Sequence, residues 1–253
     1  MPEPVSLYLI TFNEAQNLRE VLPTVLWADE VVVVDSFSTD DTAKVCQQFG
    51  VRHENIKFSG FGKLRNDALA LLKNNWVVSI DSDERSTPAF AEEVRRTLVA
   101  PQHAAYFVPR RNTFLGRPMR FSGMYPDYRQ PQVFDRRQFK YRDDAVHEGF
   151  ECYGSVGYFK NSIWQHPWPT LDVIFSKGNR YSTLMAQKRF ELGKRAGIPQ
   201  LLFHPPAAFL KKFILEQGFR DGTHGFLISA QHAYYTFQKY AKLWELAQKA
   251  RRP

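Results

Sequence analysis

The sequence predicts an α/β fold, a mostly parallel central sheet with helices on both faces, followed by a C-terminal helical extension. Three observations predict it. The first hundred residues alternate short apolar runs with amphipathic stretches in the order β-α-β-α-β-α-β-α. The run Val31–Val34 is β-branched throughout and bounded by acids, as in a parallel strand buried on both faces. After Pro169 the pattern becomes helical and stays so to the end of the 253 residues, a length that suffices for a full core.

In order, Val5–Ile10 reads as a strand and Glu14–Leu26 as a helix. The Val31–Val34 strand precedes a helix over Thr39–Phe49, with Ser38 or Thr39 as its N-cap. A short strand near Val51–His53, a helix over Leu64–Leu72 and a strand Trp76–Ile80 ending at Asp81 follow. Pro88 opens a helix to about Val99, since proline suits the first helical turn. Residues 104–168 are short aromatic-rich segments broken by Gly, Pro and Arg, the closing half of an α/β domain. Helices are expected over Asp172–Leu192, Pro205–Gln217 and Thr223–Lys249. In the last, Phe226, Ala230, Ala233, Phe237, Tyr240 and Trp244 recur at 4-3-4-3-4 spacing and predict one apolar face. The expected organisation is 1–100, 101–170 completing the same domain, and 171–253 as a basic, aromatic-rich extension.

Cys46 and Cys152 form no CxxC, so a disulfide framework is not expected and a reducing compartment fits better. The N-terminus lacks the basic region of a signal peptide, and no apolar run reaches the roughly 18 residues of a membrane span. A cytoplasmic protein is expected, with peripheral membrane contact left open. The net charge of +8 is uneven. Residues 171–253 hold 14 Lys+Arg against 5 Asp+Glu, and residues 1–170 hold 20 against 21. The basic third suggests an anionic partner.

Three strands deliver polar or acidic residues to the same edge of one sheet, where ligands of α/β proteins bind. The first ends in Thr11-Phe12-Asn13-Glu14. The second ends in Asp35-Ser36, with Ser38-Thr39-Asp40 beyond. The third ends in Asp81-Ser82-Asp83-Glu84. Carboxylates are hard oxygen ligands suited to Mg²⁺ or Mn²⁺, and such a cation can bridge a nucleotide diphosphate. Taken singly, each motif also fits a polar turn that caps the next helix. Asp81 and Asp83 point oppositely if the strand continues, but a turn there gives one to a metal and the other to a ribose.

Thr11 to Glu84 resembles the family 2 glycosyltransferases of GT-A fold. Trp27-Ala28-Asp29-Glu30 before the second strand and Phe61-Gly62-Lys63-Leu64-Arg65-Asn66-Asp67-Ala68-Leu69 add to the match. Arg110-Arg111-Asn112-Thr113-Phe114-Leu115-Gly116, Tyr125-Pro126-Asp127-Tyr128, Val146-His147-Glu148 and Gly218-Phe219-Arg220-Asp221-Gly222 extend it to the bacterial lipopolysaccharide-core β-glucosyltransferase branch. The resemblance implies a metal-dependent, inverting transfer of a hexose, glucose first, from a UDP-sugar to a lipid-linked or phosphorylated glycan. Thr11, Asn13, Glu14, Asp35, Ser36, Arg65, Asn66 and Asp81 would hold the nucleotide sugar, with Asp35 at the base. Asp83, with Asp81 and His147, would hold the metal. Phe37 and Asp41 stand where the family commonly has glycine, and Arg65 where the branch usually has Lys.

An inverting transfer needs a base for the acceptor hydroxyl. Glu148 is the first candidate and Asp127 its competitor. Nine basic residues between Arg110 and Arg142 face only Asp127 and Asp135; they suit a phosphorylated acceptor or, equally, solvated strand edges. In the C-terminal helices, Phe209, Phe213, Phe226, Tyr234, Tyr235, Phe237, Tyr240 and Trp244 accompany Lys211, Lys212, Lys239, Lys242 and Lys249. Such faces suit an anionic membrane surface, the catalytic domain or a second subunit. A sugar nucleotidyltransferase would want a glycine-rich loop after the first strand, and a dehydrogenase GxGxxG; neither is present. A non-enzymatic module that binds nucleic acid or an anionic membrane surface through the basic third would leave the acidic strand ends without a purpose.

Overall fold

The computed structural model describes residues 1–142 and 149–250. His147 and Glu148 lie outside them. Two compact units emerge, one of residues 1–110 with 128–165 and one of 111–127 with the chain from 166 onward.

The first unit begins β1 (Val5–Thr11), α1 (Ala15–Val25), β2 (Glu30–Asp35), α2 (Thr42–Gln48), β3 (Arg52–Asn55), α3 (Phe61–Leu71) and β4 (Trp76–Ser79). The short β5 (Glu84–Arg85), α4 (Pro88–Thr97) and β6 (Ala105–Phe107) follow. β7 (Arg110–Phe114) carries the chain into the second unit, where β8 (Arg117–Pro118) pairs with it. The chain returns through β9 (Pro131–Asp135), β10 (Phe139–Tyr141), β11 (Phe150–Cys152) and β12 (Val156–Tyr158), then leaves along β13 (Ile163–Trp168).

Seven strands form the main sheet in the order β12-β6-β9-β4-β1-β2-β3. β1 to β4 are mutually parallel, and β9 runs antiparallel to both β4 and β6. β2, in the interior of the parallel set, is β-branched over Val31–Val34 because both its faces are covered. On one face Leu7, Leu9, Val33 and Val78 pack with Leu18, Val45 and Phe90 of α1, α2 and α4. On the other, Tyr8, Val32, Val34 and Val77 pack with Leu64 and Ala68 of α3 and with Phe134. Leu7 and Leu9 fall on one side and Tyr8 on the other, as the strand period of two requires. The mostly parallel sheet with helices on both faces is the expected fold class, and the C-terminal helices complete it.

Some boundaries move, each for a local reason. α2 starts at Thr42, three residues later than expected, because the proposed caps are engaged elsewhere. Ser38 Oγ donates to Asp35 Oδ1 at 2.6 Å, and Thr39 Oγ1 donates to Asn13 Oδ1 at 3.4 Å, beside the Thr39 amide at 2.8 Å. Asp40 Oδ1 instead accepts the Thr42 amide at 3.0 Å. α4 starts as expected, with Thr87 Oγ1 accepting from the Phe90 amide and Pro88 in the first turn.

In the second unit, α5 (Leu171–Glu191), α6 (Ile198–Leu210) and α7 (Gly222–Lys249) follow. A π-helical turn, Lys211–Leu215, continues α6, and a short 3-10 segment, Gly218–Asp221, precedes α7. α6 begins seven residues before the expected Pro205: Pro199 lies in its first turn, and Gln200 Oε1 accepts the Gly197 amide at 2.9 Å. The seam of α7 also differs. Its buried residues are Gly225, Ile228, Ser229, Thr236, Tyr240, Leu243 and Ala247. Of the stripe read from sequence only Tyr240 is buried, while Phe226, Phe237 and Trp244 are exposed. Alongside Ile228, Tyr240 and Leu243, small residues share the seam because they let backbones approach closely: Gly225 lies against the Gly218 carbonyl.

Candidate active site

The parallel register sets the site. Thr11 sits beside Asp35, Asp35 beside Asn55, and Tyr8 beside Ser79, so the carboxyl ends of β1, β2, β3 and β4 reach one edge. The order β3-β2-β1-β4 means that the chain first winds one way and then crosses to the other side of β1. Such a switch opens a crevice at the strand ends.

Thr11 is buried, and its Oγ1 has no hydrogen-bond partner; neither has Ser36 Oγ just beyond β2. Orphaned buried hydroxyls are costly unless a ligand or water meets them. Asn13 is exposed, with φ of 54°, and spans the gap to the next loop: its amide donates to Ser38 Oγ at 2.7 Å. Glu14 is half-buried and accepts from Asn17 Nδ2. Asp35 is buried, with Oδ1 taken by Ser38 and Oδ2 3.1 Å from His53 Nε2. Phe37 has φ of 63° and is exposed. This left-handed conformation accounts for the glycine that the family commonly has there; for phenylalanine it costs about 1–2 kcal/mol. Asp41, the other departure, has φ of −75° and needs no glycine.

Arg65 reaches the same edge from α3. It is buried over the Tyr141 ring and donates to Ser79 Oγ at 3.0 Å and to Asp81 Oδ1 at 2.7 Å. Burial works to raise the Asp81 carboxyl, but the Arg65 guanidinium, joined by Arg110 and Arg129, holds the group below the usual carboxylate range. Arg65→Met is expected to cost about 2 kcal/mol in urea unfolding, less than for a fully buried pair because Asp81 stays partly hydrated. A loss under ~0.5 kcal/mol would show that the pair contributes nothing to stability. Asn66, on the same helix, spends its amide on the backbone of Tyr141, donating to its carbonyl and accepting its N–H at 2.8 and 3.0 Å. It anchors β10.

The chain turns after Ile80, so the acidic cluster is not a continuing strand. The Glu84 amide donates to the Asp81 carbonyl at 2.9 Å, leaving Asp81 and Asp83 half-buried. Asp83 Oδ1 accepts from Gln165 Nε2 at 3.4 Å. Glu84 turns inward and is fully buried. It accepts from Arg110 Nε at 2.5 Å, Gln132 Nε2 at 2.8 Å and the Asp81 amide at 2.9 Å. Its carboxyl is pushed up to about 7, chiefly by burial, with Asp81 and Asp83 adding to the rise and Arg110 opposing it. Glu84 therefore clamps the turn that presents the two aspartates. Sequence reasoning gave it no role; the sign was its place in the acidic run, but its partners Arg110 and Gln132 lie far along the chain. Among the described residues, no group of three or more His, Cys, Asp or Glu side chains is gathered to hold a metal.

Asp127 belongs to the second unit, where Asn112 Nδ2 donates to its Oδ2 at 3.1 Å and to the Met124 carbonyl at 2.9 Å.

A model of the family described as Glycosyl transferase family 2 matches residues 6–166. A Rhizobium meliloti protein, lipopolysaccharide core biosynthesis glycosyltransferase LpsC, is 30% identical over 96% of this chain and 92% of its own. An uncharacterized glycosyltransferase of Rickettsia felis is 24% identical over 96% of this chain and 90% of its own. Among solved structures, a Pyrobaculum calidifontis mannosyltransferase in complex with GDP-Man and Mn²⁺ aligns with a TM-score of 0.57 at 16% identity, covering 97% of this chain and 88% of that one. S. aureus TarS 1-349 in complex with UDP-GlcNAc aligns with a TM-score of 0.51 at 13% identity, covering 98% and 92%. At these identities the two structures speak for the fold.

Proposed function

The chain belongs to glycosyl transferase family 2, and on that premise we propose that it moves a hexose, glucose first, from a uridine diphosphate sugar to a lipopolysaccharide inner-core or related cell-envelope glycan. The observation that carries the donor site is the shared edge of β1, β2 and β4, where the orphaned Thr11 and Ser36 hydroxyls and the half-buried Asp81 and Asp83 all lie at the strand ends. The acceptor class rests on the likeness to the core-biosynthesis relative.

Thr11, Asn13, Glu14 and Ser36 line the nucleotide pocket in this reading, and Asp35, pre-set by Ser38 and His53, meets the base. Arg65 orients Asp81 toward the ribose. Asp83, with Asp81, suits a hard divalent cation, Mg²⁺ or Mn²⁺. Two carboxylates are the share that a protein commonly supplies when diphosphate and water complete the shell, and His147 is a further candidate. When bound, the cation would neutralise the departing diphosphate. The acceptor oxygen attacks the anomeric carbon from the face opposite the diphosphate. The bond to UDP breaks as the new glycosidic bond forms, and the hydroxyl proton passes to Glu148 or Asp127. A lipid-linked acceptor places the reaction at the cytoplasmic face of a membrane.

The test is calorimetric titration of UDP and UDP-glucose with Mn²⁺ or Mg²⁺, then with chelator. Uridine-nucleotide binding that the chelator removes is the expected result; no binding of any nucleotide sugar under either condition would overturn the donor assignment. Glu148→Gln and Asp127→Asn separate the two bases. The true base loses roughly 10²–10⁴-fold in kcat with donor affinity kept, and the other stays near the parent.

A further inference from the structure

α6 departs from an ordinary surface helix. None of its thirteen residues is buried, and none carries a formal charge. Its outward side is apolar: Ile198 and Phe203 are each 70% exposed and Leu202 59%, and Leu210, Ile214 and Leu215 continue the exposure into the π-helical turn. The inner side meets α7, with Leu201 packed against the Tyr240 and Leu243 cluster and the His204 ring 4.6 Å from Tyr240. Exposed cations bracket the stretch, Lys194 and Arg195 before it, Lys211 and Arg220 after it.

An apolar face this continuous marks an interaction site. Thirteen residues at about 1.5 Å each make a helix of roughly 20 Å, too short for the ~30 Å hydrocarbon core. No helix among the described residues is long and apolar enough to cross a membrane. The charge pattern argues against a second copy as the occupant. Both ends of the face carry a net positive charge, since Glu216 is outnumbered by Lys211, Lys212 and Arg220, so pairing α6 with itself, parallel or antiparallel, sets cation against cation. The same pattern matches a plane of anionic headgroups above acyl chains.

We infer that α6 and its π-helical continuation form a membrane-surface element that lies in the interface of an anionic phospholipid bilayer, apolar side inward, with Lys194, Arg195, Lys211 and Arg220 at the headgroups. This deepens the reading of a lipid-borne acceptor and rests on it for its purpose. It names the segment that brings the enzyme to its substrate.

The experiment is vesicle flotation of the full chain with neutral phosphatidylcholine and with about 30% phosphatidylglycerol added, since anionic lipid supplies the surface potential. The parent floats with the anionic vesicles. Leu202→Gln combined with Phe203→Gln and Leu210→Gln lowers the partition coefficient at least about tenfold, through lost apolar burial. Lys194→Gln, Arg195→Gln and Lys211→Gln together lower it at low salt, and the difference from the parent shrinks at about 0.5 M salt, where charges are screened. Far-UV circular dichroism and uridine-nucleotide titration run on each variant, and both match the parent if the fold is intact. The inference is overturned if the parent stays unbound, or if the apolar variant floats as well as the parent. It is also overturned if, without lipid, the parent sediments as a dimer and the apolar variant as a monomer, which would assign the face to a second copy. Vesicle binding without any nucleotide binding by the parent would sink the donor assignment and leave the membrane surface standing.

Discussion

Asp83→Ala is expected to lower turnover of UDP-glucose by about 10³-fold or more, the range lost when a transition-state charge loses its stabiliser. Asp83 projects from the turn that Glu84 holds inward, and its carboxylate is half-buried rather than part of the core. Removing it takes away one carboxylate of the proposed metal site without opening a cavity. The loss should therefore fall on kcat and on metal-dependent nucleotide binding, while the urea midpoint stays close to the parent's. Asp83→Asn sharpens the comparison, because it keeps the shape and removes the charge. Release of UDP, measured with excess Mn²⁺, checks the effect. Activity within threefold of the parent's would remove Asp83 from the site, since a metal ligand cannot be dispensed with so lightly. An equal loss in stability would instead assign it to the scaffold.

The second large effect is structural. A Cβ on Gly225 would stand 1.8 Å from the Gly218 carbonyl oxygen and 2.7 Å from its carbon. Both are backbone atoms and cannot swing aside. Gly218 is boxed in as well, its own Cβ position lying 2.4 Å from Ser122 Oγ and 2.8 Å from the Lys212 carbonyl oxygen. Gly225→Ala must push the 3-10 segment away from α7. That segment ends at Asp221, whose buried carboxylate accepts the Arg120 and Phe121 amides at 3.2 and 2.9 Å. Overpacking together with loss of these bonds should cost about 3 kcal/mol or more. Gly222→Ala is the comparison. Nothing lies within 4 Å of its Cβ position, but its φ is 62° with ψ of −137°, so conformational strain of about 1–3 kcal/mol applies without any overpacking. Urea unfolding followed by tryptophan fluorescence compares the two. Equal effects would mean that the backbone contact at Gly225 relaxes freely.

The parts of the fold that could be read from sequence are those in which one physical cause dominates. Val31–Val34 announced a buried parallel strand because only covering on both faces calls for four β-branched residues in a row. The acids at the ends of β2 and β4 were legible because each stands at the carboxyl end of a buried apolar strand, where α/β sheets place polar groups. The start of α2 was hidden because Ser38 and Thr39, good caps by type, are drawn into bonds with Asp35 and Asn13 across the loop. The seam of α7 was hidden for the opposite reason. Periodicity finds large apolar residues, whereas this seam runs through Gly225, Ser229 and Thr236 and leaves Phe226, Phe237 and Trp244 outside. Asn66 resembled a nucleotide ligand, yet its amide holds the Tyr141 backbone, a partner 75 positions away. Glu84 is the converse: the run Asp81-Ser82-Asp83-Glu84 shows four polar residues, but not which one the fold will turn inward.

The second unit is discontinuous, and that has a consequence for how the protein is made. Residues 111–127 belong with helices that begin only after residue 166. Phe114, Met119 and Met124, buried beside Ile174 of α5 and Ile228 of α7, leave the ribosome long before those partners exist. At ordinary synthesis rates the wait for α7 is on the order of ten seconds. Throughout it the nascent chain displays an oily strap with nothing to cover it, while the strands of the first unit are still completing their sheet. A chaperone that holds exposed apolar segments should engage this strap during translation and release it once α7 has emerged.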